Sequence, residues 1–412
     1  MAGLSGGGFI GVWPDDGSED SIGNGLRGQV YAADGSTVGN EFTVSTDTDG
    51  VPRTPAVTGL SGEQSVAVWA ALTQTVDGAR PAIHVQVLNA DGSKSGAEFK
   101  IVGSDENDLR ETPDVAALQG GGFAVTWQDG GRVSGGVLSR SSVMVQLFDA
   151  DGDAIGDEVL VAAPNSYYGF SSPAIAPLDD GSFVITFYDQ TRYGPDKSES
   201  AISAQIFDAD GNLSGDRIYV NSTFHGTQTA PAVEGMDNGA FVVSWTDDTV
   251  SGSANKPGIA ILAQAFANDG TRIDDEFVVN DPGTGTETFS NGGLTQTSDG
   301  VFVASFGSGP LRGDIVSHGN GSAKVFKFGM PLMGDNSDNV LNGTLFGDEI
   351  HGLGGDDTIQ GKDGDDRLFG GDGNDMIVAD NGDNLLRGGD GDDEIIAGKD
   401  NNRLYGMTAT TR

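Results

Sequence analysis

A chain of 412 residues is long enough for two or three domains with cores of their own. The absence of cysteine excludes disulfides and thiolate metal sites. With 61 acidic and 22 basic residues, the net charge is −39, a surface that repels nucleic acid and anionic membrane and attracts divalent cations.

The chain opens on Met1-Ala2-Gly3-Leu4-Ser5, which has neither a basic nor an apolar signal region. Export, if it occurs, is expected to use a route that does not read an N-terminal peptide. No apolar run approaches about 18 residues, so no membrane span is expected. From residue 1 to about 330 an aliphatic run ending in Trp or Phe recurs, at Trp13, Trp69, Trp127, Phe187, Trp245 and Phe306. Successive spacings are 56, 58, 60, 58 and 61. Three further markers keep the same period. Gln29, Gln86, Gln146, Gln205 and Gln264 follow each run, with Lys324 in the last unit. Asp-Gly follows the glutamine, at Asp34, Asp91, Asp151, Asp210 and Asp269. A Pro-led strand precedes the run at Pro55, Pro113, Pro173 and Pro231.

Each unit reads as four short strands; in the third these are Asp114–Leu118, Phe123–Trp127, Val143–Phe148 and Glu158–Ala162. Asp-Gly suits the tight turn between the last two, because Gly accepts positive φ. A sheet of this size cannot bury both faces alone, but radial stacking against its neighbours can do so. The expected fold is all-β: a six-unit, six-bladed β-propeller over residues 1–330. Unit one starts inside its first strand, and unit six lacks an Asp-Gly hairpin and a clear fourth strand. These incomplete ends close the ring together, or the chain is a fragment. A tandem array of β-sandwiches fits less well, since those domains need about 100 residues each.

From Gly334 the period drops to nine. Eight units start at Gly334, Gly343, Gly352, Gly361, Gly370, Ala379, Gly388 and Ala397. The eighth position is always aliphatic: Leu341, Ile350, Ile359, Leu368, Ile377, Leu386, Ile395 and Leu404. The sixth is Asn339, Asp348, Asp357, Asp366, Asp375, Asn384, Asp393 and Asn402. Glycines permit turns with positive φ, and a carboxylate is the hard oxygen calcium prefers. Two nonapeptides make an 18-residue turn, turns stack at about 4.8 Å, and the eighth side chains form a thin inner core. Loops 18 residues apart then lie side by side with an ion between them, so folding and calcium binding are expected to be coupled.

This run resembles the RTX, or hemolysin-type calcium-binding, repeat family over residues 334–406, which implies a parallel β-roll. Residues 407–412 read as a truncated tail, since a cap and secretion signal are expected beyond Arg412. The resemblance implies secretion through type I machinery and folding outside the cell in millimolar calcium. Carried over by position, the ligands are Asn339, Asp357, Asp375 and Asp393 on one side, and Asp348, Asp366, Asn384 and Asn402 on the other. The carbonyls of Gly371, Gly373, Gly389 and Gly391 are the backbone candidates. Two good sites are expected between Asp357, Asp375 and Asp393, and one at Asp348–Asp366, where Phe346 replaces the fourth-position glycine. Pairs with Asn should bind more weakly, and affinities should fall near 10⁻⁴–10⁻³ M, on the order of other extracellular sites.

Other candidates are weaker. Asp15, Asp129, Asp189 and Asp247 follow the Trp/Phe positions and could form a carboxylate ring for a cation or sugar; local hydrogen bonding within each loop is the favoured reading. Asp149–Glu158 and Asp208–Asp216 faintly resemble calcium loops and read better as turns. His84, His225, His318 and His351 have no metal spacing, and neither HExxH, GxSxG nor an Asp-box is present. No catalytic residue is assigned and an enzyme is not the favoured reading. The propeller is expected to be a binding or adhesion module for a glycan or a cell-surface or matrix protein. The alternatives are a polysaccharide-active enzyme with its site in the propeller funnel, or a spacer in a larger surface protein. Loops Gly130–Ser142 and Gln190–Ser200, with Arg192, Tyr193 and Lys197, are the mild catalytic candidates.

Overall fold

The computed structural model describes residues 1–15, 25–46, 51–75, 78–102, 108–133, 137–163, 169–190, 200–222, 226–236, 239–247, 260–279, 287–288, 294–298, 301–308, 321–327, 332–343, 347–362 and 364–406. The chain is all-β; a short 3₁₀ turn at Ser61–Glu63 is the one helical element among these residues. Two compact units separate: residues 1–295 with 303–324, and residues 296–302 with 325–412.

The first unit is a β-propeller of antiparallel sheets laid out in chain order. The blades comprise residues 2–43, 53–101, 108–162, 170–219 and 228–278, each with four strands, and a sixth set of strands runs from Glu287 to Lys327. First strands of consecutive blades lie beside one another, while fourth strands such as Leu213–Tyr219 are largely exposed at the rim. The alternation within each second strand explains the stacking. Val66 and Val68 face forward onto Phe123, Val125 and Trp127 of blade three, whereas Ala67 and Trp69 face back onto Ile10 and Leu26 of blade one. Trp245 likewise packs against Val184 and Ile202 of blade four. The recurrent Trp or Phe is therefore the backward-facing knob of blades two to five. Trp69, Trp127, Phe187 and Trp245 are fully buried, whereas Trp13 is half-buried.

The recurrent glutamine has an equally local cause. Each of Gln29, Gln86, Gln146, Gln205 and Gln264 sits where the register between third and fourth strands slips. Its side-chain amide donates to the carbonyl of the next residue and to one nine residues on; for Gln146 these are Leu147 O and Ile155 O, both at 3.0 Å. The amide thus serves carbonyls that the bulge has removed from the ladder. The Asp-Gly turns are three-residue hairpin loops: Gly152 has φ +89°, and the Asp149 carboxylate accepts the Asp151 and Asp153 N–H groups. Asp208 does the same for Asp210 and Asn212, so these two acidic loops are Asx turns.

Three differences from the sequence reading stand out. Strands of blade three are longer than the apolar pattern, spanning Asp108–Ala117, Phe123–Val133, Val137–Phe148 and Ala154–Ala162. Pairing carries on past Trp127 through polar residues, so most of the supposed loop Gly130–Ser142 is hairpin. The residue before each recurrent proline is left-handed, with φ between +45° and +51° at Thr54, Thr112, Ser172 and Ala230, where extended backbone would be expected. A bulge in each first strand absorbs that conformation. Arg192, Tyr193, Lys197, His225, His318 and the tail 407–412 lie outside the described residues.

The second unit contains a parallel β-roll. One sheet has five strands, Leu332–Met333, Glu349–Gly354, Arg367–Asp372, Leu385–Asp390 and Arg403–Tyr405. The other has four, Val340–Asn342, Thr358–Lys362, Met376–Ala379 and Glu394–Ala397. Apart from Lys362↔Ala379, where the register shifts, the pairings join residues 18 apart, for example Ile350↔Leu368↔Leu386 and Leu341↔Ile359↔Ile377↔Ile395. The eighth-position side chains from Ile350 to Ile395 fill the space between the sheets, with Leu341 partly buried beside them, whereas Leu404 is exposed.

Candidate metal centre

The loops linking the two sheets stack into two rows. Residues 334–339, 352–357, 370–375 and 388–393 form one row; 343 with 347–348, 361–362 with 364–366, 379–384 and 397–402 form the other. In the first row, Oδ1 of Asp357 accepts the Asn339 N–H at 2.8 Å. Oδ1 of Asp375 accepts from Asp357 at 2.9 Å, and Oδ1 of Asp393 from Asp375 at 3.1 Å. One carboxylate oxygen per turn is thereby spent on fixing the loop below. The second is left over: Oδ2 of Asp357, Asp375 and Asp393 is buried with no hydrogen-bond partner among the described residues.

First-position glycines form the rest of the cradle. A Cβ on Gly370 would lie 2.1 Å from Asp375 Oδ2 and 2.5 Å from Gly388 O. On Gly352 it would lie 2.1 Å from Asp357 Oδ2 and 2.5 Å from Gly370 O. Carboxylate and carbonyl oxygens from successive loops therefore converge where a side chain would otherwise be. Fourth-position glycines are needed for a different reason: Gly373 has φ +134°, and its Cβ would sit 2.0 Å from Gly355 O. A hard, oxygen-only, anionic cradle with unspent buried carboxylate oxygens fits a calcium ion. Among the described residues no three His, Cys, Asp or Glu side chains cluster for metal ligation; the other oxygens that converge at these loops are backbone carbonyls, such as Gly388 O beside Gly370. Burial, followed by the charges of Asp357, Asp393 and Asp356, raises the Asp375 pKa above the usual carboxylate range.

Residues 333–368, 342–377, 351–386 and 378–408 match the model of the RTX calcium-binding nonapeptide repeat. The C-terminal roll is an RTX calcium-binding repeat array. No curated protein matches the chain. Among solved structures, an α-L-arabinofuranosidase from Fusarium graminearum with an iminosugar inhibitor aligns at 15% identity and TM-score 0.49, covering 79% of this chain and 91% of its own. A protein of unknown function from Dyadobacter fermentans aligns at 10% identity and TM-score 0.49, covering 79% and 92%. An α-L-arabinanase from Penicillium chrysogenum complexed with arabinobiose aligns at 14% and 0.47, covering 79% and 91%. At these levels the likeness says nothing about activity.

The second row of RTX loops is chemically unequal. Oδ1 of Asp366 accepts from Asp348 N at 2.9 Å, as in the first row. Where Asn replaces Asp, the side-chain amide turns on its own loop: Asn384 donates to Gly382 O at 3.1 Å, and Asn402 to Gly398 O at 3.0 Å. These two loops begin with Ala379 and Ala397 rather than glycine. The fifth position forms a second ladder that sequence reading missed, although Asp or Asn stands there in seven of eight repeats. Asp338 accepts from Asp356 N, Asp356 from Asn374 N, and Asn374 from Asp392 N, each at 2.8–2.9 Å.

In the propeller, three of the four carboxylates after Trp or Phe are engaged within their own blades. Asp15 pairs with Arg27 at 3.1 Å, and Asp247 accepts from Gln228 at 3.2 Å. Asp189 is buried against Ser203 and Arg217. Asp129 lies in the strand, opposite Ser142 and Arg110. His84 is bound to Glu98 at 2.7 Å beneath Trp69, and His351 to Glu349 at 2.9 Å. A cavity of about 300 Å³ opens between blades two and three, lined by Val51, Arg53, Leu72, Pro81 and Glu111.

Proposed function

We propose that the protein is a secreted, calcium-triggered binding protein in which the RTX roll folds on its ions and the propeller serves as the binding or adhesion module. The row of unpartnered Asp357, Asp375 and Asp393 oxygens carries this reading. Calcium-free, these buried charges lie one above another on successive turns over a core one side chain thick. Extracellular calcium supplies the missing countercharge, whereas the roll of a chain still inside the cell stays unfolded. Two ions lie between Asp357, Asp375 and Asp393, completed by carbonyls of the loop glycines, Gly371, Gly373, Gly389 and Gly391 with Gly370 and Gly388. One more sits at Asp348–Asp366. At Asn384 and Asn402 the amide takes the place of an ion, so those loops close without calcium; at Asn339 the missing charge weakens the site.

For the propeller, the cavity between blades two and three supports a binding role for a glycan or a surface or matrix protein, because its lining joins aliphatic side chains with one cation and one anion. Calcium isotherms test the ion assignment. Asp375→Ala, shared by two sites, should lower affinity about tenfold or more, while Asn402→Ala should leave the isotherm unchanged. An equal loss in both variants would remove the distinction between the rows.

A further inference from the structure

The two outer faces of the RTX roll differ in chemistry. On both sheets the seventh and ninth positions alternate with the inward eighth and so stand outside. On the four-strand sheet these positions are neutral except for Glu394. On the five-strand sheet they include Arg367, Arg387 and Arg403, with the rings of His351, Phe369 and Tyr405. Glu349 is the acidic member of that face, and it is occupied by His351 at 2.9 Å and Arg367 at 3.5 Å. Arg387 and Arg403 are exposed and have no carboxylate within ion-pair distance among the described residues. In a chain of net charge −39, this concentration of cations runs against the composition.

The register gives the face a regular spacing. Arg367 stands opposite Leu385, and Leu385 opposite Arg403, so the two arginines lie two strands apart, about 10 Å. Arg387 stands between Phe369 and Tyr405 in the neighbouring column. His351 stacks on Phe369 with ring centroids 4.5 Å apart. A cavity of about 650 Å³ opens at the C-terminal end of this face, between Phe369, Leu385, Arg387, Arg403 and Tyr405.

We propose that this face binds an acidic polysaccharide, with sugar rings on Phe369 and Tyr405 and uronate carboxylates on Arg387 and Arg403. Arginine holds a carboxylate through two parallel N–H bonds, and an aromatic ring covers the apolar face of a sugar. Charge density decides against nucleic acid. Duplex DNA carries one negative charge per about 1.7 Å, and the acidic remainder of the chain repels it strongly. Arg387 and Arg403, on neighbouring strands and offset by two residues, stand roughly 8 Å apart and match a polymer with sparse carboxylates. The site rests on the calcium-folded roll, because the spacing exists only in the stacked sheet and because the ions neutralise the carboxylates of the adjoining loops.

The test uses the full chain in ~5 mM calcium, with affinity electrophoresis and calorimetry against hyaluronan, neutral dextran and duplex DNA. Hyaluronan is chosen because it carries one uronate per disaccharide. Hyaluronan should bind, and dextran and DNA should not. The double variant Arg387→Ala, Arg403→Ala should bind about tenfold more weakly or worse, and the Arg→Lys pair should recover part of the loss. Gln360→Ala on the opposite sheet should bind as the unaltered protein does. Circular dichroism with and without calcium checks that each variant still folds its roll, which separates failure of this face from failure of the roll. Absence of hyaluronan binding by the calcium-folded chain overturns the proposal. So does undiminished binding by the double alanine variant, or tighter binding to DNA than to hyaluronan.

Discussion

At the scale of single residues, the recurrent side chains divide into those that pack and those that satisfy the backbone. Gln146 belongs to the second group. Its removal would leave carbonyls at the bulge without a donor, so Gln146→Leu should destabilise the propeller by about 1–3 kcal/mol in urea denaturation. Asp114 is a different case. It occupies the first-strand position held by Ala56, Ala174 and Ala232 in other blades, and its Oδ2 accepts the Ile175 N–H of blade four at 3.0 Å. Burial outweighs that bond and pushes its pKa up to about 6. The folded state then holds the proton more tightly than the unfolded chain does. Stability is greatest below about pH 4 for this group and falls as pH rises to about 6. Asp114→Asn should flatten the dependence of Tm on pH across that window, and an unchanged slope would contradict the assignment. The glutamine was legible in the sequence as a period, but its job was not, because a bulge leaves no apolar pattern. Asp114 was read as an ordinary strand residue, since the N–H it accepts comes from the neighbouring blade.

At the scale of elements, the blade interface depends on alternation within the second strand. Trp127 is fully buried against blade two with the Arg110 guanidinium 4.9 Å from its ring. Trp127→Ala should cost about 3–5 kcal/mol, the range for deleting a large buried aromatic. In the RTX roll the corresponding element is the loop. Gly373→Ala places a methyl 2.0 Å from Gly355 O at a φ of +134°, so the roll of this variant should fail to form at any calcium level while the propeller melts as before. Far-UV circular dichroism with calcium, followed by thermal melting, separates the two. Strand periods of about 58 and nine residues made both folds legible because each repeat copies one set of side-chain directions. The ends of strands were not legible: in blade three, hydrogen bonding continues through Gln128, Asp129 and Gly130 after the apolar pattern has stopped. The stacking of the loops was legible at position six, whose side chains meet the loop 18 residues away. The difference between Asp and Asn loops was read as charge alone, and the structure adds the amide that closes Asn384 and Asn402 on themselves.

At the scale of the whole molecule, two units are held together by different means. The propeller buries aromatic and aliphatic side chains between blades and needs no ion to do so. The RTX roll has one layer of aliphatic residues and a column of buried carboxylates. Protons and calcium therefore each relieve the crowded carboxylates of the roll, and they compete to do so. With Asp375 held above the usual carboxylate range, the calcium-free roll gains stability as pH falls and loses it as pH rises past that range. Protons compete with calcium for the same oxygens, so calcium affinity should weaken as pH falls toward 5, which isotherms at two pH values would show. The most direct measurement of the central claim is far-UV circular dichroism of the calcium-stripped chain during calcium titration at neutral pH. The account predicts a gain of β signal with a midpoint on the order of 10⁻⁴–10⁻³ M, above a constant propeller contribution already present without calcium. No gain up to ~10 mM would contradict it.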